Sequence, residues 1–185
     1  FEVSAKIGWF IQEAPSFVLP LIAATNASNW INSAVLSLLV IHYAQRTFIF
    51  PLLLNNPKPS PIYIIAMAFG FCMWNGWLQG TWHARHVVYG RHHFEDPITI
   101  LGVIIFFAGM AINIHSDHIL RTLRKPGDTG YKIPRGGLFE YVSGANFFGE
   151  IIEWSGYALV ARTFPAVAFA IFTFCNIGPR ALQHH

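Results

Sequence analysis

Pro97-Ile-Thr-Ile-Leu-Gly-Val-Ile-Ile-Phe-Phe-Ala-Gly-Met-Ala-Ile-Asn-Ile-His-Ser116 runs without a single Asp, Glu, Lys or Arg. An α-helix needs about 20 mostly apolar residues to cross the hydrocarbon core of a bilayer, and this stretch has them. The same reading extends in both directions. No charge falls between Glu13 and Arg46, which leaves room for most of one span and all of a second, with Asn26 to Asn29 as the turn. Pro57 to Pro61 interrupts, and Ser60 to Ala84 is again charge-free. Leu138 to Ala161 is apolar apart from Glu140, Glu150 and Glu153, and Thr163 to Pro179 is a slightly short run that can tilt or sit partly in the interface. The sequence therefore predicts an all-α, polytopic membrane bundle of six helices, at Ser4–Thr25, Trp30–Leu54, Pro61–Trp82, Pro97–Leu123, Leu138–Ala161 and Thr163–Arg180, forming one domain over residues 1–185.

Composition agrees. Of 185 residues, 54% are hydrophobic, 16% aromatic and only 11% charged, too little charge to coat a soluble globule and far too apolar for a disordered chain. Two cysteines exclude a disulfide-dense scaffold, and Cys72 and Cys175 both read as small hydrophobes in apolar spans. The net charge of +3 forms no nucleic-acid surface. Arg121, Arg124, Lys125, Lys132 and Arg135 instead cluster around the loop over 124–137, which the positive-inside rule places in the cytosol. A chain that opens at Phe1 and closes at His184-His185 is expected to be a piece of a longer protein.

Ionisable groups inside a span are costly and mark sites or pathways. At 100° per residue, Asn113, Asp117 and Arg124 share one face of the fourth helix, and Asn146, Glu150, Glu153 and Tyr157 repeat the pattern on the fifth. Two matching stripes joined by the most charged loop suggest a polar cavity open to the cytosol; the plainer alternative is that the stripes bond each other. The loop, Lys125-Pro-Gly-Asp-Thr-Gly-Tyr-Lys-Ile-Pro-Arg-Gly-Gly137, joins turn formers to cations that suit phosphate oxygens, or is an ordinary positive-inside loop. No G-x-G-x-x-G follows a strand, so any nucleotide must be held without a Rossmann unit.

Gln12-Glu13 precedes Pro15 in the first span, and His42-Tyr43-Ala-Gln-Arg46 lies late in the second. A protonated carboxyl and a tyrosine hydroxyl both donate hydrogen bonds, and together they can polarise a carbonyl oxygen and stabilise the enolate formed on it. The alternative for Glu13 is a salt bridge to Arg46. His83-x-x-His86, His92-His93, His115-x-x-His118 and His184-His185 lack the spacing of di-iron histidine boxes, so no metal is expected.

The continuous stretch from Asn113 to Trp154, with Trp9-Phe-Ile-Gln-Glu-Ala-Pro-Ser16, His42-Tyr43, Arg46-Thr-Phe48, Asn75-Gly76, Leu78-Gln79-Gly80, Arg180 and His184, closely resembles the steroid 5α-reductases, nearest the animal type 1 and type 2 enzymes. The resemblance covers essentially the whole chain. It implies a seven-helix protein of the endoplasmic reticulum membrane, cofactor side to the cytosol, that uses NADPH to reduce the C4–C5 double bond of a 3-oxo-Δ4-steroid; the six spans here would be the second to seventh, without the first span and the carboxyl tail. Carried over by residue, Glu13 and Tyr43 match the pair on the 3-keto oxygen, with Gln12 beside them. Asn113, Asp117, Arg124, Tyr131, Asn146, Glu150 and His184 match positions around NADPH, with Arg46 and Arg180 added. Trp154 matches an aromatic wall of the steroid pocket, and Phe71, Phe147 and Phe172 are further expected lining. Partners are then a steroid and the bilayer, and the chain is expected to be monomeric. Asn176, Ile177-Gly-Pro179 and Gln183 depart from the family pattern, as does the loop from Thr81 to His93. The runner-up readings are a related NADPH reductase of trans-2-enoyl-CoA or polyprenol, and a non-catalytic channel or sterol-binding membrane protein.

Overall fold

The computed structural model describes residues 1–55, 57–123 and 132–183. It is built almost wholly of helices: α1 Ala5–Thr25, α2 Trp30–Ala44, α3 Phe50–Leu53, α4 Ile62–Arg85, α5 Pro97–Thr122, α6 Ala145–Ala161 and α7 Phe164–Gln183. Five spans, Ala5–Thr25, Trp30–Leu53, Ile62–Arg85, Pro97–Thr122 and Phe164–Ala181, are long and apolar enough to cross a bilayer, as befits a multi-pass membrane protein. Where the sequence reads as one domain, the described chain forms two compact units, Phe1–His93 and Phe94–His185.

In the first unit, α1 packs chiefly on α4 and α2. Asn29 starts α2 by accepting hydrogen bonds from the Ile31 and Asn32 amides, both at 2.9 Å. The second span is continuous but not uniform: Gln45–Ile49 is a π-helical turn between α2 and α3. Pro51 explains its place, because a residue without an N–H leaves the carbonyl of Thr47 unserved and the ladder relaxes just upstream. On the α1–α4 seam, a Cβ on Gly76 would sit 2.9 Å from the Pro15 carbonyl oxygen and one on Gly80 would sit 3.0 Å from Ala23 Cβ, so glycine permits the close approach. Glu2–Val3 pairs antiparallel with Ser60–Pro61, tying the start of the chain to the segment before α4. At the far end Asn32, fully buried, donates to the carbonyls of His83 (2.6 Å) and Val87 (2.7 Å) and accepts from the Tyr89 amide (3.1 Å).

In the second unit, Asp96 caps α5 through the Ile98 amide at 2.8 Å and Pro97 takes the first helical position, where a missing N–H costs nothing. α5 and α6 form the most extensive helix pair among the described residues, along a seam of small residues. A Cβ on Gly109 would meet the Gly149 carbonyl oxygen at 2.6 Å, and one on Gly156 would meet that of Gly102 at the same distance. Gly102 and Gly109 are seven apart, as are Gly149 and Gly156, so each helix presents backbone to the other every two turns. Beside this seam the indole of Trp154 packs on Phe169 (ring centroids 4.5 Å), Tyr157 (5.9 Å) and Phe106 (6.3 Å).

The fifth helix starts later than the sequence suggests. Gly136 and Gly137 take positive φ, Gly137–Glu140 is a short 3-10 turn, and α6 begins only at Ala145. Its 17 residues extend about 26 Å, less than the hydrocarbon core is thick. It ends at Arg162, whose φ of 48° is left-handed and whose guanidinium returns to Asp96 at 3.1 Å and to the Thr99 hydroxyl.

Candidate functional site

Two polar clusters stand in the two units. In the first, Glu13 sits mid-helix on α1, part-buried. Its two carboxyl oxygens have separate partners: Gln12 Nε2 donates to Oε1 at 3.2 Å, and the Cys72 thiol to Oε2 at 3.7 Å. The expected alternative of an ion pair with Arg46 is not how the described side chains are arranged. The Arg46 guanidinium lies over the rings of Phe50 (4.2 Å) and Trp9 (4.8 Å), a cation–π arrangement that keeps a cation in an apolar span. Tyr43 is buried at the end of α2 with the His42 ring edge-on at 5.0 Å, immediately before the π turn that carries Arg46. Phe71 is half-buried, next to Cys72 in the chain. Thus Gln12 and Glu13 are in contact, and Tyr43 and Arg46 share one segment.

In the second unit one residue of the α5 stripe touches the backbone of the helix that carries the other. Asn113 and Asp117 are buried on α5, and Asn113 Nδ2 donates to the Asn146 carbonyl at 3.0 Å where α6 begins. Glu150 is part-buried one turn further on, and Glu153 and Tyr157 are fully buried. Beside this contact opens a cleft of about 620 Å³, walled by Leu120 of α5 and Leu123 just past its end, by Lys132 to Arg135 and Phe139 to Gly144, and by Asn146 and Phe147. Arg135 stands on its rim, 3.6 Å from the Glu140 carboxylate, which also accepts from the Gly136 amide at 2.6 Å. That bond holds the turn in the positive-φ backbone that Gly136 and Gly137 allow.

The donor set of the cleft suits a dinucleotide. Lys132 and Arg135 offer cations to phosphate oxygens, Ser143 and Asn146 offer neutral polar groups, and Phe139 and Phe147 offer flat apolar walls. Arg124, Tyr131 and His184 lie outside the described residues. Arg180 and Phe172 are exposed near the end and middle of α7, and Trp154 is a core side chain of its own unit, 1% exposed among three aromatic rings.

Sequence reasoning missed several contributors. Cys72 reads in the sequence as a small hydrophobe, yet its thiol touches the Glu13 carboxyl. The cleft's dependence on Phe139, Glu140 and Ser143 was hidden by reading Leu138 to Ala161 as one helix. The heptad spacing of Gly102 with Gly109 and of Gly149 with Gly156 is the signal that would have announced the tight α5–α6 seam. Among the described residues no three His, Cys, Asp or Glu side chains converge as a metal site would require.

Comparison with known proteins gives one consistent result. A family model described as 3-oxo-5-alpha-steroid 4-dehydrogenase matches residues 58–185. The chain is 48% identical, over its whole length and 75% of the relative's, to 3-oxo-5-alpha-steroid 4-dehydrogenase 1 of Bos taurus. It is 50% identical to 3-oxo-5-alpha-steroid 4-dehydrogenase 2 of Sus scrofa and 48% identical to that of Homo sapiens, each over all of this chain and 74% of the relative.

Proposed function

The chain belongs to the 3-oxo-5-alpha-steroid 4-dehydrogenase family of oxidoreductases, and on that premise we propose that it reduces the C4–C5 double bond of 3-oxo-Δ4-steroids such as testosterone or progesterone, with NADPH, to 5α-reduced products. In this reading it works as a monomer in the endoplasmic reticulum membrane with its cofactor side toward the cytosol. The observation that carries the reading is a carboxyl built into the middle of an apolar span and held by side chains on both of its oxygens, in a chain that matches those relatives from end to end.

NADPH, when bound, supplies the hydride that C5 of the steroid accepts. The protein's own part follows from its side chains. Glu13 and Tyr43 each donate a hydrogen bond to the 3-keto oxygen, drawing electron density from C5 and stabilising the enolate that results; C4 then takes a proton from solvent. Removing one such donor typically costs about 2.7–4 kcal/mol, or roughly 10²- to 10³-fold in turnover. The apolar surroundings of α1 and α2 exclude water, which strengthens both bonds. Lys132, Arg135 and Arg124 would hold the cofactor's phosphates, and Asn113, Asn146, Asp117 and Glu150 would supply neutral and anionic polar groups around it. Gln12 supports Glu13, and Phe71, beside Cys72 on α4, provides apolar surface for the steroid; Arg180, Tyr131 and His184 are further polar groups for the cofactor, while Trp154 serves the packing of its own unit.

The test is product analysis in membranes expressing the chain, given NADPH and a panel of 3-oxo-Δ4-steroids. The expected outcome is 5α-reduced steroid, with Glu13→Gln and Tyr43→Phe each losing roughly 10²-fold or more in kcat. Consumption of trans-2-enoyl-CoA or polyprenol with no reduced steroid would overturn the substrate, and full tolerance of both substitutions would make the protein a sterol binder rather than an enzyme.

A further inference from the structure

Three contacts between α1 and α4 converge on Glu13. The two backbones close up at Gly76, where a Cβ would lie 2.9 Å from the Pro15 carbonyl oxygen and 3.1 Å from Ser16 Cα. Ser16, three residues after Glu13 and therefore on the same side of the helix, donates its hydroxyl to the Cys72 carbonyl at 3.1 Å. Gly76 sets the spacing and Ser16 the register, so the backbone of Cys72 is fixed relative to that of Glu13. The Cys72 side chain, 4% exposed, then reaches Glu13 Oε2 at 3.7 Å while Gln12 occupies Oε1 at 3.2 Å. Each carboxyl oxygen thus has one side-chain neighbour, one from α1 and one from α4, and together these define the plane of the carboxyl.

We propose that Cys72 is a positioning residue for Glu13, its thiol holding the carboxyl in the orientation from which it meets a substrate carbonyl. The inference rests on the reading of Glu13 as a donor to that carbonyl. A thiol is a weak donor, but its sulfur is large and polarisable, so it steers the carboxyl and keeps water from its outer oxygen at once. A group that must meet a reacting atom in one geometry loses rate steeply when allowed to swing.

The test separates polarity from packing. Cys72→Val keeps a buried apolar side chain of similar size and removes the donor; Cys72→Ser keeps a donor. With the full chain in membranes, NADPH and testosterone, Cys72→Val is expected to lower kcat by roughly five- to tenfold with the KM for NADPH unchanged, and Cys72→Ser to stay within about twofold of the parent. In a Glu13→Gln background, Cys72→Val is expected to cause no further loss, because its effect passes through that carboxyl. Parental turnover in Cys72→Val overturns the proposal. So does an equal fall in both cysteine variants accompanied by a lower thermal midpoint, which makes Cys72 a packing residue. Parental turnover in Glu13→Gln alone instead overturns the underlying reading of Glu13, an outcome read without any cysteine variant.

Discussion

Gly149→Ala is the smallest change that tests how the second unit holds its polar cluster. Gly149 lies between Asn146 and Glu150 on α6 and faces the backbone of α5. A Cβ there would sit 2.6 Å from the Asn113 amide nitrogen and 2.9 Å from the Gly109 carbonyl oxygen. Ordinary contact begins near 3.4 Å, so the helices must part by about 0.8 Å at this level, and neither obstacle is a side chain that can rotate away. The Asn113–Asn146 hydrogen bond, now 3.0 Å, spans the same gap; stretched by that amount it passes the limit of a useful bond. Overpacking of this kind costs about 1–3 kcal/mol, with the loss of the bond adding about 1 kcal/mol. Thermal unfolding of the purified protein in detergent and NADPH binding followed by nicotinamide fluorescence give the two readouts. The expected result is a lower midpoint and weaker NADPH binding together. Gly70→Ala on α4, where an added Cβ meets nothing within 4 Å, is the control and is expected to leave both unchanged or slightly improved. Unchanged midpoint and binding in Gly149→Ala would refute the argument that the small-residue seam sets the position of Asn113.

Asn32→Leu deprives the His83 and Val87 carbonyls and the Tyr89 amide of their partner in a buried site, and is expected to lower stability by about 2 kcal/mol or more, measured as a shift in the thermal midpoint. The Asp96 carboxyl is held below the usual aspartate range, first by the Ile98 amide and then by Arg162. Its contribution is therefore present above the ordinary value near pH 4 and disappears as pH falls through the depressed one, so the stability advantage of the parent over Asp96→Asn is expected to shrink on acidification from about pH 5 to about pH 3. A difference that does not change over that interval would contradict the assignment. Lys132→Ala and Arg135→Ala are each expected to weaken NADPH binding several-fold, more at low salt than at high, while leaving the KM for steroid nearly unchanged; equal effects on both ligands would count against the cleft as the phosphate site.

The spans are legible because hydropathy alone defines them: the charge-free run that begins at Pro97 becomes α5, with Asp96 accepting from the Ile98 amide at its start. Hydropathy failed where apolar residues serve a turn. Leu138, Phe139, Tyr141 and Val142 read as helix, but positive φ at Gly136 and Gly137 and the turn before Gly144 postpone α6 to Ala145. The stripe on α5 is legible from its 100° periodicity, but its contact with α6, from Asn113 Nδ2 to the Asn146 carbonyl across a long connection, is not. What periodicity does not supply is register between helices distant in sequence. The contact of Cys72 with Glu13 depends on how far α4 slides along α1, which Gly76 and Ser16 settle only once the two are packed. In α7 phenylalanines fall at 164, 169, 172 and 174, and their spacing alone does not say which faces inward: Phe169 is buried and Phe172 exposed.

The most direct measurement follows a single hydrogen atom. Membranes expressing the chain would be given testosterone and NADPH carrying deuterium at the transferable position of the nicotinamide, and the product analysed by mass spectrometry and NMR. The account predicts a 5α-reduced steroid with the deuterium on C5 and none of it on C4, formed at least about 10²-fold more slowly by Glu13→Gln. Deuterium at another carbon, or an unreduced ring with the label still on the nucleotide, would contradict it.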